Sequence, residues 1–141
     1  MELHRGRLID HIQLVVKDIA ASKRFYKAVF DVLNIPLGGE ADDHIWADEL
    51  FISTRESEAA VGQLTGRVHL AFQGKDRETV QRFYHAALAA GGRDFGAPGE
   101  RKYHPGYYGA FVLDPDGNNI EVVFHGPAKK SADSVKITFG S

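Results

Sequence analysis

HIQLVVKDIAASKRFY, residues 11–26, returns as HLAFQGKDRETVQRFY at residues 69–84. Histidine, Lys-Asp and Arg-Phe-Tyr recur at one constant offset: His11 with His69, Lys17-Asp18 with Lys75-Asp76, and Arg24-Phe25-Tyr26 with Arg82-Phe83-Tyr84. An ungapped internal repeat constrains the architecture before any single element is assigned, and two copies are too few for a solenoid. They point to a duplicated supersecondary unit whose halves complete one another.

Each copy opens on a strand. Successive side chains of a strand point to opposite faces, so Ile12, Leu14 and Val16 share one face and His11, Gln13 and Val15 the other. In the second copy Val68, Leu70 and Phe72 oppose His69, Ala71 and Gln73. Both apolar trios need a helix to cover them, and both histidines point away from it. The helices follow directly. Asp18 and Asp76 are suited to N-caps, because a carboxylate accepts the free N–H groups of a first turn. Val80, Phe83, Tyr84, Ala87 and Leu88 form one apolar face, and Gly91-Gly92 supplies the stop. In the first copy Phe25, Val29, Phe30 and Leu33 form the corresponding face, which ends near Asn34 and Pro36. The repeated Arg-Phe-Tyr therefore falls mid-helix, where packing is its ordinary role.

Three strand signals follow each helix: 35–41, 44–48 and 50–55 in the first half, and 94–99, 107–114 and 118–124 in the second. Asp114-Pro-Asp-Gly117 is a tight-turn signature joining the last two as a hairpin. The expected fold is α+β: two βαβββ modules pairing into a cupped mixed sheet around a central cavity. Module one spans about 8–56, a linker 57–66, module two about 67–126 and a tail 127–141, all within one domain. The tail stretch SVKITF, residues 134–139, reads as an extra edge strand or one that spans a dimer.

Composition narrows the function. The chain of 141 residues has a net charge of −2, so no global basic field directs it to nucleic acid or an anionic membrane. It has no cysteine, which removes disulfides, thiolate metal ligands and thiol nucleophiles together. No apolar run approaches the roughly 18 residues of a membrane span, and residues 1–10 lack an apolar leader core. A soluble, cytoplasmic protein is expected.

The chemistry is concentrated on the faces turned away from the helices. On the last strand Ile120, Val122 and Phe124 face the helix, while Asn119, Glu121 and Val123 face the other way with the histidines. A carboxylate inside an apolar strand needs a partner, because an unpaired buried charge costs several kcal/mol. Two repeat-related histidines and one carboxylate form a 2-His-1-carboxylate set, which holds a divalent metal and leaves positions open for substrate. The alternative is that Glu121 pairs with an arginine and the histidines bond locally. Gln13, Gln73 and Asn119 point into the same space as orienting groups or plain polar lining. The segment RKYHPGYYG, residues 101–109, gathers a cation, an imidazole and phenols in a Pro-Gly loop. His104, Tyr107 and Tyr108 are its candidates for hydrogen-bonding a substrate oxygen or moving a proton. Arg5, Arg7, Lys129 and Lys130 read as solvated charges.

Residues 10–30, 67–92 and 107–124 give the chain a specific resemblance to the vicinal oxygen chelate superfamily, which includes glyoxalase I, extradiol dioxygenases, fosfomycin-resistance enzymes and bleomycin-binding proteins. The resemblance covers about residues 8–126, and DPDGNNIE is a frequent signature there. It implies a metal held by His11, His69 and Glu121, with Glu121 also a candidate catalytic group. It further implies a homodimer and a small-molecule substrate that chelates the ion through vicinal oxygens. The ion is zinc, nickel, manganese or Fe(II), since this donor set suits them all. Glyoxalase I enzymes carry a further Glu or Gln on the last strand of the first module. Here Phe51 stands at that place, and Glu49, two residues earlier, reaches it only after a register shift. The expected activity is of glyoxalase-like lyase or isomerase type. An Fe(II) extradiol dioxygenase and a metal-free drug- or metabolite-binding protein are the alternatives.

Overall fold

Each copy of the repeat folds as a strand, a helix and three further strands in the computed structural model, which describes residues 1–60 and 62–140. A short strand, β1 (Glu2–Arg5), precedes the first copy. Module one then runs β2 (Ile12–Val15), α1 (Ile19–Val32), β3 (Gly39–Ala41), β4 (His44–Ala47) and β5 (Leu50–Ser53). Module two repeats it as β6 (His69–Gln73), α2 (Arg77–Ala89), β7 (Arg93–Glu100), β8 (Tyr108–Leu113) and β9 (Asn119–Phe124), and β10 (Val135–Thr138) closes the chain. Residue 61 of the expected linker and residue 141 of the tail lie outside the described residues.

The helices begin and end where their end groups require. Asp18 accepts from Ala21 N at 3.1 Å, and Asp76 accepts from both Thr79 N and Thr79 Oγ1 at 2.7 Å. Asn34 takes a left-handed conformation (φ 58°) just past α1, and Gly91 (φ 100°) does so past α2. A side chain at Gly91 would also meet Arg24 Nη2 at 2.7 Å.

Both modules have the same strand order, β2-β5-β4-β3 and β6-β9-β8-β7, with the first and last strands parallel and the rest antiparallel. The period-two reading holds on the helix side. Leu14 and Val16, Ile45 and Ile52, Val112, Ile120 and Val122 are buried with Phe25, Tyr26, Val29 and Phe83 in one apolar cluster drawn from both modules. The two helices pack against one another, so each sheet keeps its other face free of helix.

A polar joint ties the halves together. Asp114, 1% exposed, accepts from the N–H groups of Asp116 (2.9 Å) and Asn118 (2.8 Å), from Asn118 Nδ2 (2.9 Å), and from the Tyr26 hydroxyl of module one. Burial, with the neighbouring Asp114 charge, drives the Tyr26 phenol well above its ordinary pKa, so it remains a donor. The same turn receives a second bond, from Lys17 N to Asp116 Oδ2 at 3.0 Å.

The tail strand finds its partner within the chain: β10 pairs antiparallel with β1, Leu3 opposite Ile137. Arg5 is not solvated as its sequence context suggests. It is 6% exposed, donates to the Asp48 carbonyl at 2.6 Å and lies 3.4 Å from Asp10.

Tyr26→Phe should destabilise the protein by about 1–3 kcal/mol in urea unfolding, because a buried carboxylate loses a donor and nothing replaces it. A change within a few tenths of that unit would show that the joint is not a structural requirement.

Candidate functional site

The helix-free face of module two carries the densest chemistry. Parallel pairing sets His69 opposite Asn119 and Ala71 opposite Glu121, and antiparallel pairing sets Phe111 opposite Glu121. Glu121 is 2% exposed while His69 remains half-exposed at 49%. His69 Nδ1 lies 3.0 Å from the Asn119 main-chain oxygen. A carbonyl only accepts, so Nδ1 carries the proton and Nε2 presents its lone pair when the ring is neutral. That Nε2 sits 3.1 Å from Glu121 Oε1. A lone pair facing a carboxylate repels it unless a proton or a metal cation is shared between them. The other oxygen, Oε2, accepts from the Tyr107 hydroxyl. Burial first, then this hydrogen bond to Glu121, pushes the Tyr107 phenol well above its ordinary pKa, so it stays protonated. Gly109 makes the contact sterically possible, since a Cβ there would lie 2.9 Å from Glu121 Oε2. Asn119 Oδ1, on the residue paired with His69, is buried without a hydrogen-bond partner.

Module one offers a second, incomplete set. His11 Nδ1 bonds Asp10 Oδ1 at 2.7 Å, which lowers the Asp10 pKa and leaves His11 Nε2 open. Both candidate histidines thus have Nδ1 tied to an oxygen, as metal-binding imidazoles commonly do, with Nε2 turned to Glu121 in His69 and open in His11. Among the described residues no three His, Asp or Glu of one chain converge on a common point, so His11 is not brought to His69 and Glu121 within a single chain. The residue in the place of Glu121 in module one is Phe51: Gln13 pairs with Phe51 as Ala71 pairs with Glu121. Its ring stacks on Trp46 (centroids 5.1 Å apart, 5° between planes) and meets the His11 ring edge-on at 5.5 Å. Glu49 lies before β5, and its carboxyl pKa is raised, chiefly by burial. Gln13 Nε2 donates to Ser53 and Ser57 Oγ at 2.8 and 3.0 Å, at the edge of a cleft of about 140 Å³ also lined by His44 and Phe51.

The loop residues separate. Tyr107 reaches Glu121. Tyr108 does not: strand alternation turns it to the helix side, where its hydroxyl accepts from Gln81 Nε2 at 3.1 Å beneath the Arg77 guanidinium. His104 instead joins a residue that the sequence reading passed over, His125. Their rings stack with centroids 5.0 Å apart and bond Nε2 to Nδ1 at 2.8 Å, while His104 Nδ1 is satisfied by the Pro105 carbonyl at 2.9 Å. Both rings lie edge-on to Tyr107. The alternation Asn119, Glu121, Val123 extends to His125, so period two alone was sufficient to mark it.

The chain and its fold match a known family. The model of the Glyoxalase/Bleomycin resistance protein/Dioxygenase superfamily matches residues 8–122, and the chain belongs to that superfamily. Among solved structures, a glyoxalase/bleomycin resistance protein from Albidiferax ferrireducens is 28% identical, with 82% of this chain and 98% of that one covered at a TM-score of 0.71. A glyoxalase-related enzyme from Fulvimarina pelagi is 22% identical and covers 96% of this chain and 99% of its own, TM-score 0.70. The lactoylglutathione lyase of Agrobacterium tumefaciens shares 18% identity, with 84% and 93% covered and a TM-score of 0.58. The last two show likeness of fold. A comparison with curated proteins gives no match. No helix of the structure is long and apolar enough to cross a membrane.

Two outcomes follow from this geometry. Gly109→Ala should cost about 1–3 kcal/mol through overpacking against Glu121. In a Glu121→Ala background the same change should cost clearly less; equal costs in a double-mutant cycle would contradict the contact. Glu49 has a raised folded pKa, so its contribution is fully present below the unfolded value of about 4.3 and is lost as pH rises through the folded value. Glu49→Gln should therefore be more stable than wild type at pH 7, with the gap closing toward pH 4 in thermal melts. A gap that widens on acidification would reverse the assignment.

Proposed function

We propose that the protein is a cytoplasmic, homodimeric, divalent-metal-dependent enzyme of glyoxalase-like lyase or isomerase type, acting on a small substrate with vicinal oxygens. Its metal is held by His69 and Glu121 of one chain together with His11 of the partner subunit. The observation that carries this reading is the buried Glu121 oxygen 3.1 Å from Nε2 of His69, two metal-ligand donor types brought side by side where a proton or a metal cation must be shared between them. The donor set fits zinc, nickel, manganese or Fe(II). His11, with its Nδ1 tied to Asp10 and its Nε2 unused, lacks companions in its own chain, which is why a second copy is invoked.

A bound divalent ion would supply Lewis acidity to the chelating oxygens of the substrate. The chain's own residues would do the rest. The Tyr107 hydroxyl holds Glu121 Oε2 and leaves Oε1 to the ion or to a substrate proton, which makes Glu121 the candidate base. Phe51, backed by Trp46, sets an apolar wall at the place where glyoxalase I carries another ligand, and so keeps water from that side. His104, steadied by His125, stands behind Tyr107 as the candidate group for exchanging protons with solvent.

Elemental analysis of dialysed protein should find one divalent ion per chain, and His69→Ala and Glu121→Ala should each weaken its retention by at least about tenfold. Activity without oxygen supports the lyase or isomerase reading, and oxygen uptake on catechols with Fe(II) would replace it by a dioxygenase. Absence of metal, with no thermal shift on adding any of the four ions, would leave a binding protein instead.

A further inference from the structure

The helix-free face of module two also holds a cation that the proposed chemistry does not use. Arg101 lies with its guanidinium carbon 5.3 Å from the centre of the Phe111 ring. Phe111 is the strand partner of Glu121, and its ring is 5.9 Å from that of His69. Arg101 therefore shares the face of the candidate metal ligands, with Phe111 between.

The guanidinium is held in place by uncharged groups. Nη2 donates to the Ala97 carbonyl at 2.6 Å and Nη1 to the Glu100 carbonyl at 3.2 Å. Two glycines clear the space for it. A Cβ at Gly99 would come within 2.9 Å of Nη1, and one at Gly96 within 3.4 Å of Nη2 and 2.8 Å of Phe111 Cδ2. Pairing of β7 with β8 slips its register on both sides of Gly96, which lets the backbone follow the side chain. Among the described residues Arg101 makes no ion pair, although Glu100 beside it pairs with Arg77 at 2.8 Å. Two of five N–H groups are used, so three donors, Nε–H among them, remain for a ligand.

A fixed, half-exposed guanidinium without a carboxylate partner is suited to an oxyanion brought by a ligand, because its fork matches carboxylate and phosphonate geometry. We propose that Arg101 is a specificity-determining residue that binds an anionic oxygen group, a carboxylate or a phosphonate, at the end of the substrate remote from the vicinal oxygens. This names the substrate class of the proposed site and rests on that reading for what the anion is attached to. The anion site itself requires no metal.

The test uses the full-length protein treated with a chelator, so that a failure of the metal reading leaves it intact. Benzoate, phenylphosphonate and uncharged benzamide are titrated while the Arg101 Nε–H signal is followed by NMR. At least one anion should bind at least fivefold more tightly than benzamide and shift that signal, and the stronger of the two identifies the oxyanion. Arg101→Met should abolish the preference without changing the thermal midpoint by more than about two degrees, and Arg101→Lys should keep part of it. Equal binding of all three probes, or a preference that survives in Arg101→Met, would overturn the assignment. If the Met variant fails to fold, Arg101→Lys alone decides: an undiminished preference or none in wild type refutes it, and a reduced preference supports it.

Discussion

The buried carboxylate of Asp114 is the constraint on which the rest depends. It closes the β8–β9 turn through three bonds within residues 114–118 and takes a fourth from Tyr26 in the other module. A turn residue thereby fixes the hairpin that carries Glu121 relative to α1. Lys17 N on Asp116 adds a second tie from the end of the first repeat strand. Because a buried carboxylate is costly without donors, the two halves are held in one arrangement rather than left to slide on a greasy interface.

That arrangement sends the helices inward and the chemistry outward. With α1 and α2 packed together in the shared core, the faces bearing His11 and His69 are left uncovered by helix in their own chain. Glu121 is nevertheless buried, because Tyr107 and His69 close over it. A dry carboxylate, an imidazole 3.1 Å from it and an orphaned Asn119 oxygen lie together on this face, and the His69–Glu121 contact is satisfied when a proton or a metal cation is shared between them. Module one presents on its own face a histidine, His11, tied through Nδ1 to Asp10, beside an aromatic row of Phe51 and Trp46.

Much of this was legible in the sequence because the repeat is read twice by the same rules. Period two assigned Leu14, Val16, Ile120 and Val122 to the core and His69 and Glu121 to the opposite face, and the Asp18 and Asp76 caps placed both helices. The equivalence of Phe51 with Glu121 was also readable, from aligning the last strand of each module, DELFISTR with NNIEVVFH. What failed to appear depends on contacts between distant segments. Tyr107 and Tyr108 are chemically alike, and only the start of β8 decides that one reaches Glu121 and the other packs beneath Arg77. Arg5 looked solvated because nothing local showed that the Asp48 carbonyl would receive it. The convergence of His11 with His69 and Glu121 was inferred from the facing of the repeated strands, and among the described residues of one chain no three such groups converge.

Subunit mixing tests the central claim most directly. His11→Ala and His69→Ala chains each lack one ligand and, as separate homodimers, should retain little metal. When unfolded together and refolded as a mixture, they form heterodimers in which His11 of one chain faces His69 and Glu121 of the other, and one intact site per heterodimer should return. Recovery of tightly bound metal in the mixture, absent from either variant alone, is the predicted result. A mixture that binds no more metal than its components would contradict a site shared between two copies.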